Sequence, residues 1–416
     1  MNRTQRIVSM AVLIFAGESI YMLPYLRRTF QTSMERLFEV SSTELGYING
    51  MFGILAMLCY FPGGWLADQV SSRKLMTVSL LSTGLLGLYM TTFPGFTELL
   101  ILHGLWGIST ILTFWAALVK ATRNWGDDNQ QGTTFGLLDG GRGLTAALLA
   151  SVATGIFAAY HDDIAGGLRS VIYFYSGASL LAGVAAWLVL PRHDEASAPP
   201  SDATPDDTWA NVRAVLRLPQ VWLMALVVLA AYWLYVTSFD FPAFAEKTLD
   251  QDKVFGAKLG TFRDWLRPVA ALGAGFIADR LRTTRVIAAC FVILALAYAA
   301  LAFGPTDAAL LWLLWIEVAA VAICVFALRG VYYALLEESN VPMLLTGTAV
   351  GVMSVLGYLP EIYAYALIGW FVDTFQPDPG YQYYFGLMVG VALLGLLATL
   401  LMRRVVRRQA VGQVRG

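Results

Sequence analysis

Long apolar stretches separated by short polar turns dominate this chain. Each stretch runs for about 20 residues or more, the length that a helix needs to cross the hydrocarbon core of a bilayer. The strands of a membrane barrel would be shorter and would alternate apolar with polar residues. The pattern therefore predicts twelve membrane-spanning helices, at residues 7–30, 43–67, 74–93, 97–121, 133–159, 169–190, 219–247, 254–278, 284–304, 306–332, 343–373 and 381–402.

The amino-acid composition narrows the class of protein further. The 416 residues are 57% hydrophobic and 14% charged, with a mean hydropathy of +0.62. A soluble domain of this length needs more polar residues on its surface. In lipid, the backbone must satisfy its hydrogen bonds within the protein. We predict an all-α polytopic membrane protein with its first span retained as a helix. Basic residues are scattered, which argues against a nucleic-acid partner, and no Cys or His spacing points to a metal or cofactor.

A short motif occurs twice at a fixed separation. Gly64-Trp-Leu-Ala-Asp68, followed by Arg73-Lys74, returns 211 residues later as Gly275-Phe-Ile-Ala-Asp279, followed by Arg280. Both copies lie in a turn between two apolar stretches, so the chain consists of two pseudo-symmetric six-helix bundles.

Two glycine pairs share that separation. Gly136 and Gly140 recur as Gly347 and Gly351. Small residues four apart let helix backbones approach closely, so we predict that these glycines pack helices together.

The only long polar, proline-rich stretch, residues 191–208, lies between the halves. We predict an N-terminal bundle at 1–190, a cytoplasmic linker at 191–218 and a C-terminal bundle at 219–416. The end of the linker is either a short helix lying on the inner leaflet or an ordinary lead-in to the seventh span. Arg and Lys are enriched on the side that carries both termini, which predicts cytoplasmic termini.

Charged residues within the spans are candidates for function, because a charge at the bilayer centre costs about 2.5–3.5 kcal/mol or more. Glu18 and Glu317 lie near the middle of the first and tenth spans. Asp139 and Arg142, three residues apart, share a face of the fifth span and can pair. Burial favours the neutral form of an acid, so such carboxyls suit proton carriage. The predicted proton-coupling residues are Glu18, Asp139, Asp264, Glu317 and Glu361.

The eighth span carries the densest charge cluster. Arg263 and Arg267 share one face, and Asp264 can reach Arg267. Two guanidinium forks suit a carboxylate or phosphate, although Arg263 is also compatible with an interfacial position. Lys120 and Arg329 lie near the same end of the fourth and tenth spans, and Lys120 either meets an anion or extends to the headgroups. The predicted substrate-binding residues are Tyr21, Arg27, Lys120, Arg142, Tyr232, Tyr235, Arg263 and Arg267.

The repeated motif resembles the loop between the second and third helices of major facilitator superfamily transporters. Gln69, Ser71 and Ser72 depart from that pattern. The resemblance implies a monomer with a conformational latch formed by Gly64, Asp68, Arg73, Lys74, Asp279 and Arg280, although these residues could instead only enforce topology. Arg27-Arg28, Lys120 to Trp125 and Asp240-Phe-Pro242 are also similar to segments of organophosphate:phosphate antiporters. The arginine that those antiporters use on phosphate in the seventh helix has no counterpart here.

These observations predict a secondary transporter, in the cell membrane of a bacterium, that moves a small organic anion by alternating access with proton coupling. The alternative is proton-driven efflux of amphipathic compounds. A membrane-embedded enzyme would need a nucleophile–base or metal pair, and no such motif occurs. No ATP-binding motif occurs either.

Overall fold

A computed structural model describes residues 3–126, 131–192, 213–280, 282–304, 311–332, 335 and 345–415. Every regular element within these ranges is a helix. The first half contains α1 (Arg3–Met22), α2 (Arg27–Leu37), α3 (Ser42–Gln69), α4 (Ser72–Met90), α5 (Phe96–Thr110), a π-helical turn (Ile111–Trp115), α6 (Ala116–Trp125), α7 (Gln131–Ala159) and α8 (Ile164–Val189).

The second half has the same helical character. It contains α9 (Pro219–Thr237), a 3₁₀ turn (Ser238–Asp240), α10 (Phe241–Lys247), α11 (Lys253–Arg280), α12 (Thr283–Phe303), α13 (Leu311–Val331), α14 (Thr346–Gly357), α15 (Pro360–Phe375) and α16 (Pro377–Arg415). The described part of each of the twelve predicted spans coincides with one of these helices or with a run of consecutive ones.

Helix ends follow local sequence signals. Ser41 caps α3 through a capping box, in which the Ser41 hydroxyl accepts from the Glu44 amide and the Glu44 carboxylate accepts from the Ser41 amide. Asp163 caps α8 by accepting from Gly166. Pro219 and Pro360 occupy the first turns of α9 and α15, where proline removes no helical hydrogen bond. The break between α14 and α15 therefore places Glu361 at the start of a new helix.

The helices differ in how well they suit a membrane. Over the described ranges, nine helices are long and apolar enough to span one, and ten if the two parts of α3, bent by 55°, count together. Neither α4 nor α11 is among them. Arg73 and Lys74 lie in the first turn of α4, and Arg263, Asp264 and Arg267 lie in the middle of α11. The count of twelve spans remains a prediction for these two helices.

The helices divide into two compact units. Unit 1 consists of Met1–Ser197, Phe241–Trp265 and Tyr365–Asp373, and unit 2 of Ala198–Asp240, Leu266–Ala364 and Thr374–Gly416. Unit 1 has two buried apolar cores, one around Trp106 and Phe52 and one around Phe114 and Leu80. The predicted boundaries at 190 and 219 remain a proposal. Of the predicted linker, residues 193–212 lie outside the described residues, and 213–216 are helical.

The glycine prediction was wrong for this conformation. A Cβ atom built on Gly136, Gly140 or Gly351 meets nothing within 4 Å, so these positions face open space. The surroundings of Gly347 lie outside what the structure describes. Close backbone packing occurs elsewhere in unit 1, at Gly46, where a Cβ would overlap the backbone of Ala366.

Candidate functional site

A buried arginine joins two acidic residues in unit 1. Arg142 Nε lies 3.3 Å from Glu18 Oε2, and Arg142 Nη1 lies 3.6 Å from Asp139 Oδ1. Arg142 also donates to the carbonyl oxygen of Gly17 at 2.9 Å. The predicted pairing of Asp139 with Arg142 is confirmed, and Glu18 joins it from α1. The Arg142 and Glu18 side chains are 11% and 7% exposed, whereas Asp139 is 67% exposed.

Two aromatic rings complete this group. The Arg142 guanidinium carbon lies 5.7 Å from the ring centroid of Tyr21 and 5.7 Å from that of Trp115, within the range of cation–π attraction. Trp115 ends the π-helical turn, and π turns are frequent at functional sites. We call Glu18, Tyr21, Trp115, Asp139 and Arg142 the Arg142 cluster.

Trp115 is not among the substrate-binding residues that were predicted from the sequence. Nothing in an apolar sequence marks where a helix widens into a π turn. Close packing accompanies the π turn, since a Cβ on Gly63 would lie 2.9 Å from the carbonyl oxygen of Ile111.

Unit 2 contains a second cation surrounded by tyrosines. The Arg329 guanidinium carbon lies 4.2 Å from the ring centroid of Tyr235 and 5.6 Å from that of Tyr232. The Tyr232 hydroxyl donates to Glu361 Oε2 at 2.6 Å, and the Tyr232 and Tyr358 rings are 4.7 Å apart. Tyr232, Tyr235 and Glu361 are buried, but Arg329 is exposed. We call Tyr232, Tyr235, Arg329, Tyr358 and Glu361 the Arg329 cluster.

Arg329 and Tyr358 were not among the predicted binding residues. Sequence position alone put Arg329 near a helix end, where headgroup contact is the default for a long basic side chain. The spacing of Tyr232 and Tyr235, three residues apart, was the available signal of an aromatic face.

The other predicted binding residues are dispersed. Arg27 is buried with its guanidinium carbon 4.4 Å from the Tyr365 ring centroid. Arg263 is also buried, and its Nη2 pairs with Asp264 at 2.7 Å. The predicted approach of Asp264 to Arg267 stays a prediction. Glu317 is partly buried on α13.

Lys120 binds the end of a helix. Its Nζ donates to the carbonyl oxygen of Ala67 at 2.8 Å, close to the C-terminus of α3, where cations are favourable. The structure therefore does not bring Lys120 into the Arg142 cluster.

The predicted latch residues are placed only in part. Asp68 and Lys74 are exposed, Gly64 has open space beside it, and the Arg73 guanidinium carbon lies 4.3 Å from the Trp187 ring centroid. No ion pair of Asp68 occurs within the described part of the chain. Asp279 and Arg280 end α11, but their side chains lie outside the described residues.

A polar contact that the sequence did not predict closes one end of unit 1. Lys247 Nζ lies 2.6 Å from Glu35 Oε2 and donates to Ser42 Oγ at 2.6 Å. The Thr43 amide and hydroxyl donate to Asp373 Oδ2 at 2.8 and 2.6 Å. These bonds tie α2 and the start of α3 to α10 and α15. We call them the end contact.

No group of three or more His, Cys, Asp or Glu side chains suited to a metal was found in the described ranges. Long apolar helices with charged and aromatic clusters define a polytopic transport protein. The match to the Major Facilitator Superfamily covers residues 7–365. The chain therefore belongs to this family, and it is a secondary transporter rather than an enzyme, as predicted.

Relatives agree with this assignment. Inner membrane protein YqcE of Escherichia coli strain K12 is 28% identical over 401 residues, covering 95% of this chain and 94% of YqcE. The crystal structure of a mutant of the nucleoside transporter NupG matches with a TM-score of 0.76 at 16% identity, covering 96% of this chain and 99% of that one. A D-galactonate transporter of Escherichia coli O6:H1 is 25% identical over 112 residues, covering 27% of this chain and 26% of the transporter.

Proposed function

We propose that this protein transports a small organic anion of the sugar-acid class, coupled to protons, by alternating access. The observation that carries the proposal is the Arg142 cluster, in which one arginine is held between two carboxyls and two aromatic rings. A guanidinium binds a carboxylate through two parallel hydrogen bonds, and aromatic faces suit the carbon–hydrogen face of a sugar chain. Asp139 is exposed, so it can yield its place beside Arg142 to a substrate.

The Arg329 cluster also supports the proposal that the substrate is an anion. Its arginine is exposed although the tyrosines against which it rests are buried. Tyr232 donates to Glu361, and the Tyr358 ring packs against the Tyr232 ring in an edge-to-face arrangement, so the aromatic surface is held in place. A positioned guanidinium with an open face is a binding group for a carboxylate.

Proton coupling follows from competition for Arg142. While Glu18 is paired with Arg142, the charged carboxylate is stabilised. A substrate carboxylate that takes over Arg142 leaves Glu18 buried without its cation, and an unpaired buried charge is costly. Uptake of a proton by Glu18 removes that cost, so anion and proton bind together. A substrate carboxylate also competes with Asp139 for Arg142. The loss of this pairing costs less free energy, because the Asp139 side chain is exposed.

The match to a D-galactonate transporter supports the sugar-acid class, because D-galactonate is a carboxylate with several hydroxyls. The positive-inside distribution supports cytoplasmic termini, and the family resemblance supports a monomer. The alternating-access model requires a site near the midplane that opens to one side at a time. In this proposal, the end contact faces the outside.

The test is uptake of radiolabelled D-galactonate by the purified protein in proteoliposomes, with and without an inward proton gradient. We expect uptake that the gradient accelerates, and at least tenfold slower uptake by Arg142→Gln and Arg329→Gln. Arg36→Gln is the matched control, because Arg36 is exposed and lies outside both clusters. Uptake that is the same in all variants contradicts the proposal. Gradient-driven movement of lipophilic cations, insensitive to these variants, establishes the efflux alternative instead.

A further inference from the structure

A cleft at the start of α4 lies away from both clusters. It has a volume of about 40 Å³ and is lined by Ser9 of α1, Ser72 and Arg73 of α4, Asn124 of α6 and residues just after α8. That is room for about three waters. None of the described lining residues is acidic. The function derived above uses none of this cleft.

Polar atoms at the cleft lack partners. Ser9 is 2% exposed, yet its Oγ has no hydrogen-bond partner among the described residues. The same holds for Arg73 Nε, a buried atom of a half-buried residue that also lines the cleft. A buried polar atom without a partner costs about 1–3 kcal/mol, and such atoms in native proteins are rare. Two of them line this one small cleft, which points to a ligand that accepts hydrogen bonds.

The start of α4 adds backbone donors to these side chains. Ser71 is the N-cap residue, but its hydroxyl makes no capping bond, and the first amide bonded within the turn is that of Leu75, to the Ser71 carbonyl. Uncapped amides at a helix N-terminus bind anions. Arg73 supplies a full positive charge, and its ring contact with Trp187 holds it there. Hydroxyls, amides and a guanidinium are the usual donor set for phosphate.

We propose that this cleft binds a phosphate group through Ser9 and Arg73. The group belongs either to free phosphate or to the headgroup of an anionic phospholipid. Trp187, on which Arg73 stacks, is 45% exposed, so the cleft lies beside the surface that faces lipid. Bound phosphate would join α1 to the start of α4.

The test is thermal unfolding of the purified full-length protein in detergent, titrated with inorganic phosphate or with phosphatidylglycerol, against chloride at equal ionic strength. A ligand of the folded state raises the melting temperature in a saturable way. We expect Arg73→Gln to weaken the apparent affinity at least tenfold, and Ser9→Ala to weaken it severalfold. Lys74→Gln is the matched control, because Lys74 is adjacent, carries the same charge and does not line the cleft.

Each result decides between defined alternatives. Stabilisation by phosphate identifies free phosphate as the ligand, and stabilisation only by phosphatidylglycerol, with the same order of variants, identifies the headgroup. Equal losses in Arg73→Gln and Lys74→Gln would show general charge screening and overturn the site, as would the absence of any stabilisation. If Arg73→Gln does not fold, Ser9→Ala against Lys74→Gln gives the same decision. The readout does not depend on which solute the protein transports.

Discussion

The end contact depends on close backbone packing at Gly46. A Cβ on Gly46 would lie 2.5 Å from the carbonyl oxygen of Tyr365, whereas ordinary contact begins at 3.4 Å. Gly46→Ala therefore requires α3 and α15 to separate by about 1 Å. Overpacking of this kind costs about 1–3 kcal/mol, which corresponds to about 5–150-fold in an equilibrium. The separated arrangement should become more populated by that factor.

Gly64→Ala is the matched control for this change. Gly64 lies on the same helix, and a Cβ there meets nothing within 4 Å. Both substitutions gain the same intrinsic helix propensity, about 1 kcal/mol, so their difference isolates the steric term.

The assay is the labelling rate of a cysteine placed at Ser42, which is 3% exposed and accepts from Lys247. The reagent is a membrane-impermeant maleimide added to intact cells, after Cys59, Cys290 and Cys324 have been replaced. We expect labelling at least fivefold faster in Gly46→Ala than in Gly64→Ala. Equal rates in the two variants would refute the account of the end contact, and labelling only from the cytoplasmic side would refute its proposed orientation.

Three further changes have defined outcomes. Glu18→Gln should leave counterflow of a sugar acid intact but make net uptake independent of the proton gradient, since the proton carrier is lost; uptake that still follows the gradient would exclude Glu18 from coupling. Lys120→Met should lower the free energy of unfolding by about 1 kcal/mol without changing substrate affinity, and weaker substrate binding in a titration would place Lys120 in the site after all. Lys247→Met should accelerate labelling of a cysteine at position 42. Adding Glu35→Gln to Lys247→Met should change the labelling rate little further, because the two substitutions remove the same ion pair. Additive effects on the labelling rate would mean that the pair does not exist.

The fold was largely predictable because membrane helices are encoded by long apolar runs. The described part of each predicted span coincides with helix, and the break before Pro360 follows from proline chemistry. The pairing of Asp139 with Arg142 was predictable for the same local reason, since residues three apart share a helix face.

What the sequence could not reveal depends on contacts between distant segments. Lys247 and Glu35 are far apart in sequence, and neither lies in a recognisable motif. Gly136 and Gly140 matched a packing motif, yet in this conformation they face open space, because spacing shows that a close approach is allowed and not that it occurs. The π turn before Ala116 depends on packing rather than on local propensity.

The central claim is that Arg142 and Arg329 select a carboxylate. The most direct measurement is calorimetric titration of the purified protein with D-galactonate and with the corresponding uncharged alditol, repeated with Arg142→Gln, Arg329→Gln and Arg36→Gln. The account predicts that the acid binds at least tenfold more tightly than the alditol, and that either cluster variant removes this preference while Arg36→Gln keeps it. Equal affinities for acid and alditol, or a preference that survives in both cluster variants, would contradict it.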